Sequence, residues 1–370
     1  MERKPIPHPS NFIDSKYTDI INRYAAAAEQ LGTLHPEQLA VIYQQKWFNL
    51  FVPKEYGGLQ LSLMEGLQTE EGLAWADGST GWTVTLCSGA NWFIGFLHPE
   101  VTPAIFNAAV VCLAGSGRSS GIAKDEGDEY EITGYWNYAS GATIATAFTA
   151  NCNIEKNGSI MHDDDGNAIV YSFIFLRNEV LLHQNWKSVG MIATASNGFE
   201  VRQLKVKKNR CFVIDAINAV FNDSIYQYPF LHFAEATLAV NSSGMATRFF
   251  DLCEKIFEER SANKNYDQEI NAALHKKLEI AKAQLQLQRQ LFYAAVQYSW
   301  DEWIQNKTHN ADTLKKVGTT SKQLAAVARK LVDEWYPYCG LAAANPATEI
   351  NRVWRNLHTA SQHPLLLQAH

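Results

Sequence analysis

The stretch "ALHKKLEIAKAQLQLQRQLFYAAVQYSWDEW" constrains the chain more than any other. Leu274, Leu278, Ala281, Leu285, Phe292 and Ala295 recur along it at helical steps and make one apolar stripe. A lone amphipathic helix is marginal in water, so this one must lay its stripe against partners. The same period returns from about Asp312 to Asp333 and from about Ala347 to Ser361, with short polar connections between. Residues 216–370 therefore read as a helical bundle.

Helical spacing also governs the beginning of the chain, through Ile20, Ile21, Tyr24, Ala27, Leu39, Ile42, Tyr43 and Trp47. "VPKEYGG" interrupts it with Pro53, Gly57 and Gly58, and a second helix follows from about Leu63 to Trp75. Asp77 in "DGSTG" is placed to cap a third helix carrying Trp82, Trp92 and Phe93. Residues 1–108 are thus a helical region. Between the two lie "AAVVCLAGSG", "YEITGYWNYASG", "AIVYSFIFL" and "FEVRQLKVKK", where β-branched residues, period-two alternation and turn residues dominate. They predict a β domain over 109–215, and the fold class is mainly α with a central β domain.

Composition narrows the function. With 32 Lys and Arg against 38 Asp and Glu, the net charge of -6 offers no basic surface for nucleic acid. No window approaches the roughly 18 uninterrupted apolar residues of a membrane span, and "MERKPIPHPS" has no apolar leader core, so a cytoplasmic protein with no membrane partner is expected. Six cysteines without a CxxC pair read as reduced thiols, and no metal site is expected.

The order of motifs resembles the acyl-CoA dehydrogenase superfamily of flavoproteins over nearly the whole chain. "LFVPKEYGGLQLSLMEGLQTEEGLAWADGSTGW" is similar to that family's N-terminal stretch, "GDEYEITGYWNYASG" to its flavin-side hairpin, and "NWKSVGMIATASNGFEVRQLKVKKNRCF" to its second flavin-side turn and strand. The resemblance implies an N-terminal helical domain, a middle β-barrel or sandwich domain and a C-terminal four-helix bundle. It also implies flavin contacts from Leu113, Gly115 and Ser116 in "LAGSGRSSG", which occupies the place of a flavin-lining loop in relatives, from Tyr138 and Ser140, from Thr194 and Ser196, and a phosphate contact from Arg352. Ser140 falls where relatives carry the Ser or Thr whose hydroxyl and amide approach the flavin N5. On the residues alone, alternation puts Trp136, Tyr138 and Ser140 on one strand face, an aromatic platform beside a hydroxyl.

One departure separates two branches. Dehydrogenases of this family abstract a proton with a Glu just before a late helix containing Ile-x-Arg; here Ile350-Asn351-Arg352 aligns Asn345 with that Glu, and an amide has no useful basicity. A base on another helix, Glu254, Glu258 or Glu259, is the alternative. The segment instead resembles the branch of two-component flavin-dependent monooxygenases, in Trp354-Arg355-Asn356 followed by Gln362-His363, with Asn356 where that branch usually has Asp. That likeness implies FAD or FMN supplied in reduced form by a separate reductase, O₂ as co-substrate, and oxygen transfer to a small, in the first instance aromatic, molecule. His363 and Ser140 would be the catalytic residues, and Trp82, Asn91 and Trp92 candidates for the substrate pocket. A homotetramer is expected by analogy. The competing readings are an FAD-dependent acyl-CoA dehydrogenase and a non-catalytic binding protein of the same fold.

Overall fold

The computed structural model describes residues 6–108, 110–263 and 265–367; positions 1–5, 109, 264 and 368–370, among them the start of the charged opening and the boundary read at 109, lie outside it. The first helices are α1 (Ser15–Leu31), α2 (Pro36–Gln44), α3 (Leu63–Ala76), α4 (Gly78–Asn91) and the short α5 (Thr102–Phe106). Asp77 caps α4, its Oδ2 accepting from the Thr80 amide at 2.9 Å and the Thr80 hydroxyl at 2.8 Å. The helix ends at Asn91, so Trp92 and Phe93 belong to the 3-10 turn after it.

Every strand lies between Leu113 and Phe212: β1 (Leu113–Asp125), β2 (Glu129–Ala139), β3 (Ala147–Lys156), β4 (Ser159–Ile160), β5 (Val170–Leu176), β6 (Leu181–His183), β7 (Asn197–Lys207) and β8 (Cys211–Phe212). They form one sheet in the order β6-β7-β2-β1-β3-β5-β8, with β4 paired on β3. The β1–β3 pair is parallel and the others are antiparallel. Trp136, Phe148, Phe173, Phe175 and Phe199 fill the core of this sheet, all fully buried.

Two local expectations are corrected here. "LAGSGRSSG" is not a loop; it is the first two thirds of β1, with its register to β3 shifted between Ser116 and Gly121. Nor do Trp136, Tyr138 and Ser140 share a face. The β2–β7 register slips between Trp136 and Ala139, where Tyr138 adopts φ 67°, and a bulge of this kind reverses the alternation. Trp136 is therefore in the sheet core, while Tyr138 is 60% exposed under the Arg118 guanidinium.

The remaining helices are α6 (Ser224–Gln227), α7 (Phe230–Ser261), α8 (Gln268–Asn306), α9 (Ala311–Trp335), α10 (Leu341–Ala344) and α11 (Glu349–Ala360). Leu278, Ala281, Leu285, Phe292 and Ala295 of the α8 stripe are buried, and α7 packs on α3, α8, α9 and α11. One apolar core runs from α1 and α3 through α7 to α9 and α11. At its centre Glu71 of α3 is fully buried. Arg289 of α8 holds it through Nε and Nη2, each at 2.8 Å, with the Tyr293 hydroxyl donating at 2.8 Å and the Ser243 hydroxyl also donating. The six cysteines are free and five are buried. Among the described residues no helix is long and apolar enough to cross a membrane, and no three metal-ligating side chains cluster.

Removing one partner of a buried bidentate pair leaves a charge with no water to solvate it. Arg289→Met is expected to destabilise the protein by about 3–5 kcal/mol, and the double variant Glu71→Gln/Arg289→Met to recover most of that loss. Urea unfolding of the three proteins measures both effects.

Candidate active site

A cavity of about 220 Å³ opens where α4, the sheet, the start of α7 and the segment after α11 meet. Its apolar side is built by Leu86, Phe93, Ile214, Phe230, Phe233 and Leu238. Phe230 and Phe233 follow Pro229 at a three-residue step, so both face the same way from the first turn of α7. Its polar side is the Gly115-Ser116-Gly117 run of β1, Thr149 and Asn151 of β3, Ser172 of β5, Ser140 just past β2, and His363. No carboxylate, lysine or arginine lines it among the described residues.

Ser140 belongs to a chain of buried hydroxyls. Its Oγ lies 2.8 Å from Ser196 Oγ, which lies 2.7 Å from Thr194 Oγ1, and Thr194 donates to the Met191 carbonyl at 2.8 Å. The three are 5%, 6% and 1% exposed. The turn that carries them is unusual backbone: Met191 has φ 55° and Ala195 φ 45°, both left-handed without being glycine. What holds it there is α11. Asn356 Oδ1 accepts from the Met191 amide at 2.6 Å, and the Arg355 guanidinium donates to the Val189 carbonyl at 2.8 Å and to Glu29 of α1. Gly190 lies against α11 so closely that an added Cβ would sit 2.0 Å from the Arg355 carbonyl oxygen. Trp186 Nε1 also donates to the Met191 carbonyl, at 2.9 Å.

His363 starts the short 3-10 turn Pro364–Leu366. The Leu365 amide donates to its Nδ1 at 3.3 Å, so in the neutral ring the proton sits on Nε2. Trp82 packs edge-on against the ring with centroids 5.9 Å apart. Burial lowers its pKa from 6.5 to about 4, and no acid stands beside it to oppose that shift. The imidazole is uncharged at neutral pH.

The cavity thus brings together Ser140, Gly115, Ser116 and His363, with Ser196 and Thr194 one layer behind Ser140. Other expected residues lie elsewhere. The Asn91 side chain is spent on structure, Nδ2 donating to Asn49 Oδ1 at 2.6 Å and Oδ1 accepting from the Leu113 amide at 2.8 Å. That bond also takes up Leu113, which is fully buried. Trp92 is stacked behind Phe230 and Phe233 and donates to the Ile225 carbonyl, so Phe93 and those two rings form the wall in place of Trp82, Asn91 and Trp92. Arg352 is buried against Asp77, whose carboxyl burial raises and Arg352 draws back down. Asn345 is exposed, its side chain accepting from the Ala347 amide. Glu254 pairs with Lys282 at 3.0 Å, and none of the three glutamates weighed as an alternative base reaches the cavity wall.

Because the native pKa of His363 lies below its unfolded value, the unfolded chain takes up a proton between about pH 6.5 and pH 4 that the native chain refuses. Stability is therefore unaffected above that window and falls as pH drops through it. The slope is expected to stay below about 1.4 kcal/mol per pH unit, since the ring keeps some contact with solvent. Urea midpoints of the wild type and of His363→Gln between pH 7 and 4 check this, the variant losing less as the pH is lowered. A second expectation concerns the turn: Gly190→Ala pushes it off α11 and costs about 2–4 kcal/mol by the same assay.

A family model for the acyl-CoA dehydrogenase C-terminal domain matches residues 236–368. Among curated proteins, the chain is 23% identical over 372 residues to the oxygenase subunit HsaA, a flavin-dependent monooxygenase of Mycobacterium tuberculosis, covering 95% of this chain and 90% of the relative. It is 21% identical over 321 residues to indole-3-acetate monooxygenase of Acinetobacter baumannii, covering 86% and 80%. Among solved structures, XiaF from Streptomyces in complex with FADH2 and glycerol superposes with a TM-score of 0.85 at 18% identity, covering 97% of this chain and 91% of that one.

Proposed function

We propose, from the likeness of residues 236–368 to the acyl-CoA dehydrogenase C-terminal domain, from the likeness of nearly the whole chain to flavin-dependent oxygenase subunits and from the chemistry of the cavity, that this chain is the oxygenase component of a two-component flavin-dependent monooxygenase. The observation that carries the reading is the lining of the cavity: a hydroxyl chain and an uncharged imidazole, with no carboxylate among the described residues. A dehydrogenase needs a carboxylate within hydrogen-bonding reach of an acidic C–H. Here the position aligned with that base is an exposed amide, Glu254 pairs with Lys282, and neither Glu258 nor Glu259 lines the cavity.

The donor set fits a flavin. An isoalloxazine ring asks for an apolar bed, one or two hydrogen-bonding partners at its polar edge and no fixed charge against its face. Phe93, Phe230 and Phe233 give the bed, with Ser140 and the β1 glycine run at the polar edge. Bound in its reduced form, flavin supplies the electrons that activate dioxygen, one atom of which passes to the substrate. The residues supply the rest. His363 offers Nε2–H as a neutral donor that can hold an oxygen or deliver a proton at that atom, and its lowered pKa keeps it in this state across the physiological range. The phenylalanine wall excludes water and takes a small apolar substrate. Reduced flavin is delivered by a separate reductase.

A homotetramer is part of this reading. Ile280, Leu287 and Tyr298 are 56%, 50% and 63% exposed at seven- and eleven-residue steps, which puts them on one outer face of α8. Replacing Ile280 and Leu287 by Lys is expected to lower the particle mass, read by light scattering, from four times the chain mass to a fraction of it.

Anaerobic protein carrying reduced FAD or FMN, mixed with oxygenated buffer, should reoxidise the flavin more slowly than free flavin does, and incorporate labelled oxygen into a phenolic or indolic substrate. In His363→Ala the yield of labelled product per flavin is expected to fall by about 10²-fold. Reoxidation at the free-flavin rate with no labelled product would refute the oxygenase reading.

A further inference from the structure

We propose that Ser196 and Thr194 set the redox preference of the flavin site, by fixing the direction in which Ser140 donates its hydroxyl proton. The inference rests on the flavin reading above and concerns residues that the cavity itself does not touch. A carbonyl oxygen can only accept, so the proton of Thr194 is committed to Met191. Thr194 Oγ1 must then accept from Ser196 at 2.7 Å, and Ser196, its one proton spent, must accept from Ser140 at 2.8 Å. Three hydroxyls spend three protons in one direction, away from the cavity. Ser140 borders the cavity with lone pairs alone.

The direction is hard to reverse. All three groups are buried, so water is not there to offer another donor. The terminal acceptor is immobile, because the Met191 peptide is held by Asn356 on its amide side and by Trp186 on its carbonyl side. Flipping the chain would leave the Thr194 and Met191 oxygens 2.8 Å apart with no proton between them.

Reduced and oxidised flavin differ at the atom that the resemblance places near Ser140. Reduced N5 carries a hydrogen and donates; oxidised N5 only accepts. A Ser140 hydroxyl that can only accept pairs with the reduced form and sets lone pair against lone pair in the oxidised form, whereas the Ser140 amide is a donor in both cases. The site thus retains the incoming electron carrier and sheds the spent one, which suits a cofactor that arrives from a separate reductase. His363 does not discriminate in this way, since its Nε2–H is a donor whichever form is bound. Ser196 and Thr194 are positioning residues, acting only through Ser140.

The test is the ratio of dissociation constants for oxidised and reduced FMN and FAD, measured anaerobically by ultrafiltration on the wild type, Ser196→Ala, Thr194→Val and Thr194→Ser. The wild type is expected to favour reduced flavin. Ser196→Ala frees the Ser140 proton to turn toward the cavity, and one hydrogen bond redirected in this way shifts the ratio toward oxidised flavin by roughly five- to tenfold. Thr194→Val should shift it the same way, and Thr194→Ser, which keeps the hydroxyl, should not. A ratio that stays constant in both disruptive variants, or two affinities that fall in equal measure, would overturn the proposal while leaving flavin binding intact. A wild type that binds neither form would overturn the flavin reading and this inference together.

Discussion

The contact between the 190–196 turn and α11 is the constraint on which the site depends. A backbone that must pass this close to a helix admits no side chain at Gly190, and once there its left-handed residues are held by Asn356 and Arg355 from the other side. Left-handed non-glycine residues persist only where surroundings over-determine them, and α11 does so here. Through Met191 the helix fixes Thr194, through Thr194 it fixes Ser196, and through Ser196 it fixes the group that meets the cavity. The hydroxyl that borders the cavity is therefore controlled from a helix that does not line it.

Around that point the cavity is lined by neutral groups among the described residues. The lining carries no formal charge at neutral pH, because its one titratable group is desolvated. In such surroundings each oriented dipole acts with little screening, and no counter-ion competes with it. The same lack of charge makes the chamber a poor host for an anionic thioester tail or a free carboxylate, and a suitable one for a flat neutral ring.

Much of the fold is legible in the residues. The α8 stripe, the Asp77 cap and the change to period two near residue 113 each follow from a local rule, and helices and strands appear where those rules put them. Of the residues that the resemblance singled out, Ser140, Gly115, Ser116 and His363 line one cavity. What escaped was tertiary. The slip in register after Trp136 turns an apparent aromatic face inside out, and nothing in "WNYASG" announces a left-handed tyrosine. Asn91 and Trp92 look like pocket residues by position, yet a helix that ends at Asn91 turns both inward. Asn356 stands where the monooxygenase branch usually has Asp. Its partner is a backbone amide 165 positions away, a bond for which an amide oxygen serves as well as a carboxylate.

The pairing of Glu71 with Arg289 bears on how such a chain can be taken apart. Its two charges lie 218 positions apart, on opposite sides of the whole β region, and each is tolerable in the interior only because the other is present. The three segments that read as separate along the sequence are accordingly not modules. A bundle transplanted from a relative would bring its own residue to the Arg289 position, and unless that residue answered Glu71 the chimera would carry an unpaired ion at its centre. In this chain a change on α3 at Glu71 has to be answered on α8 at Arg289, and the reverse.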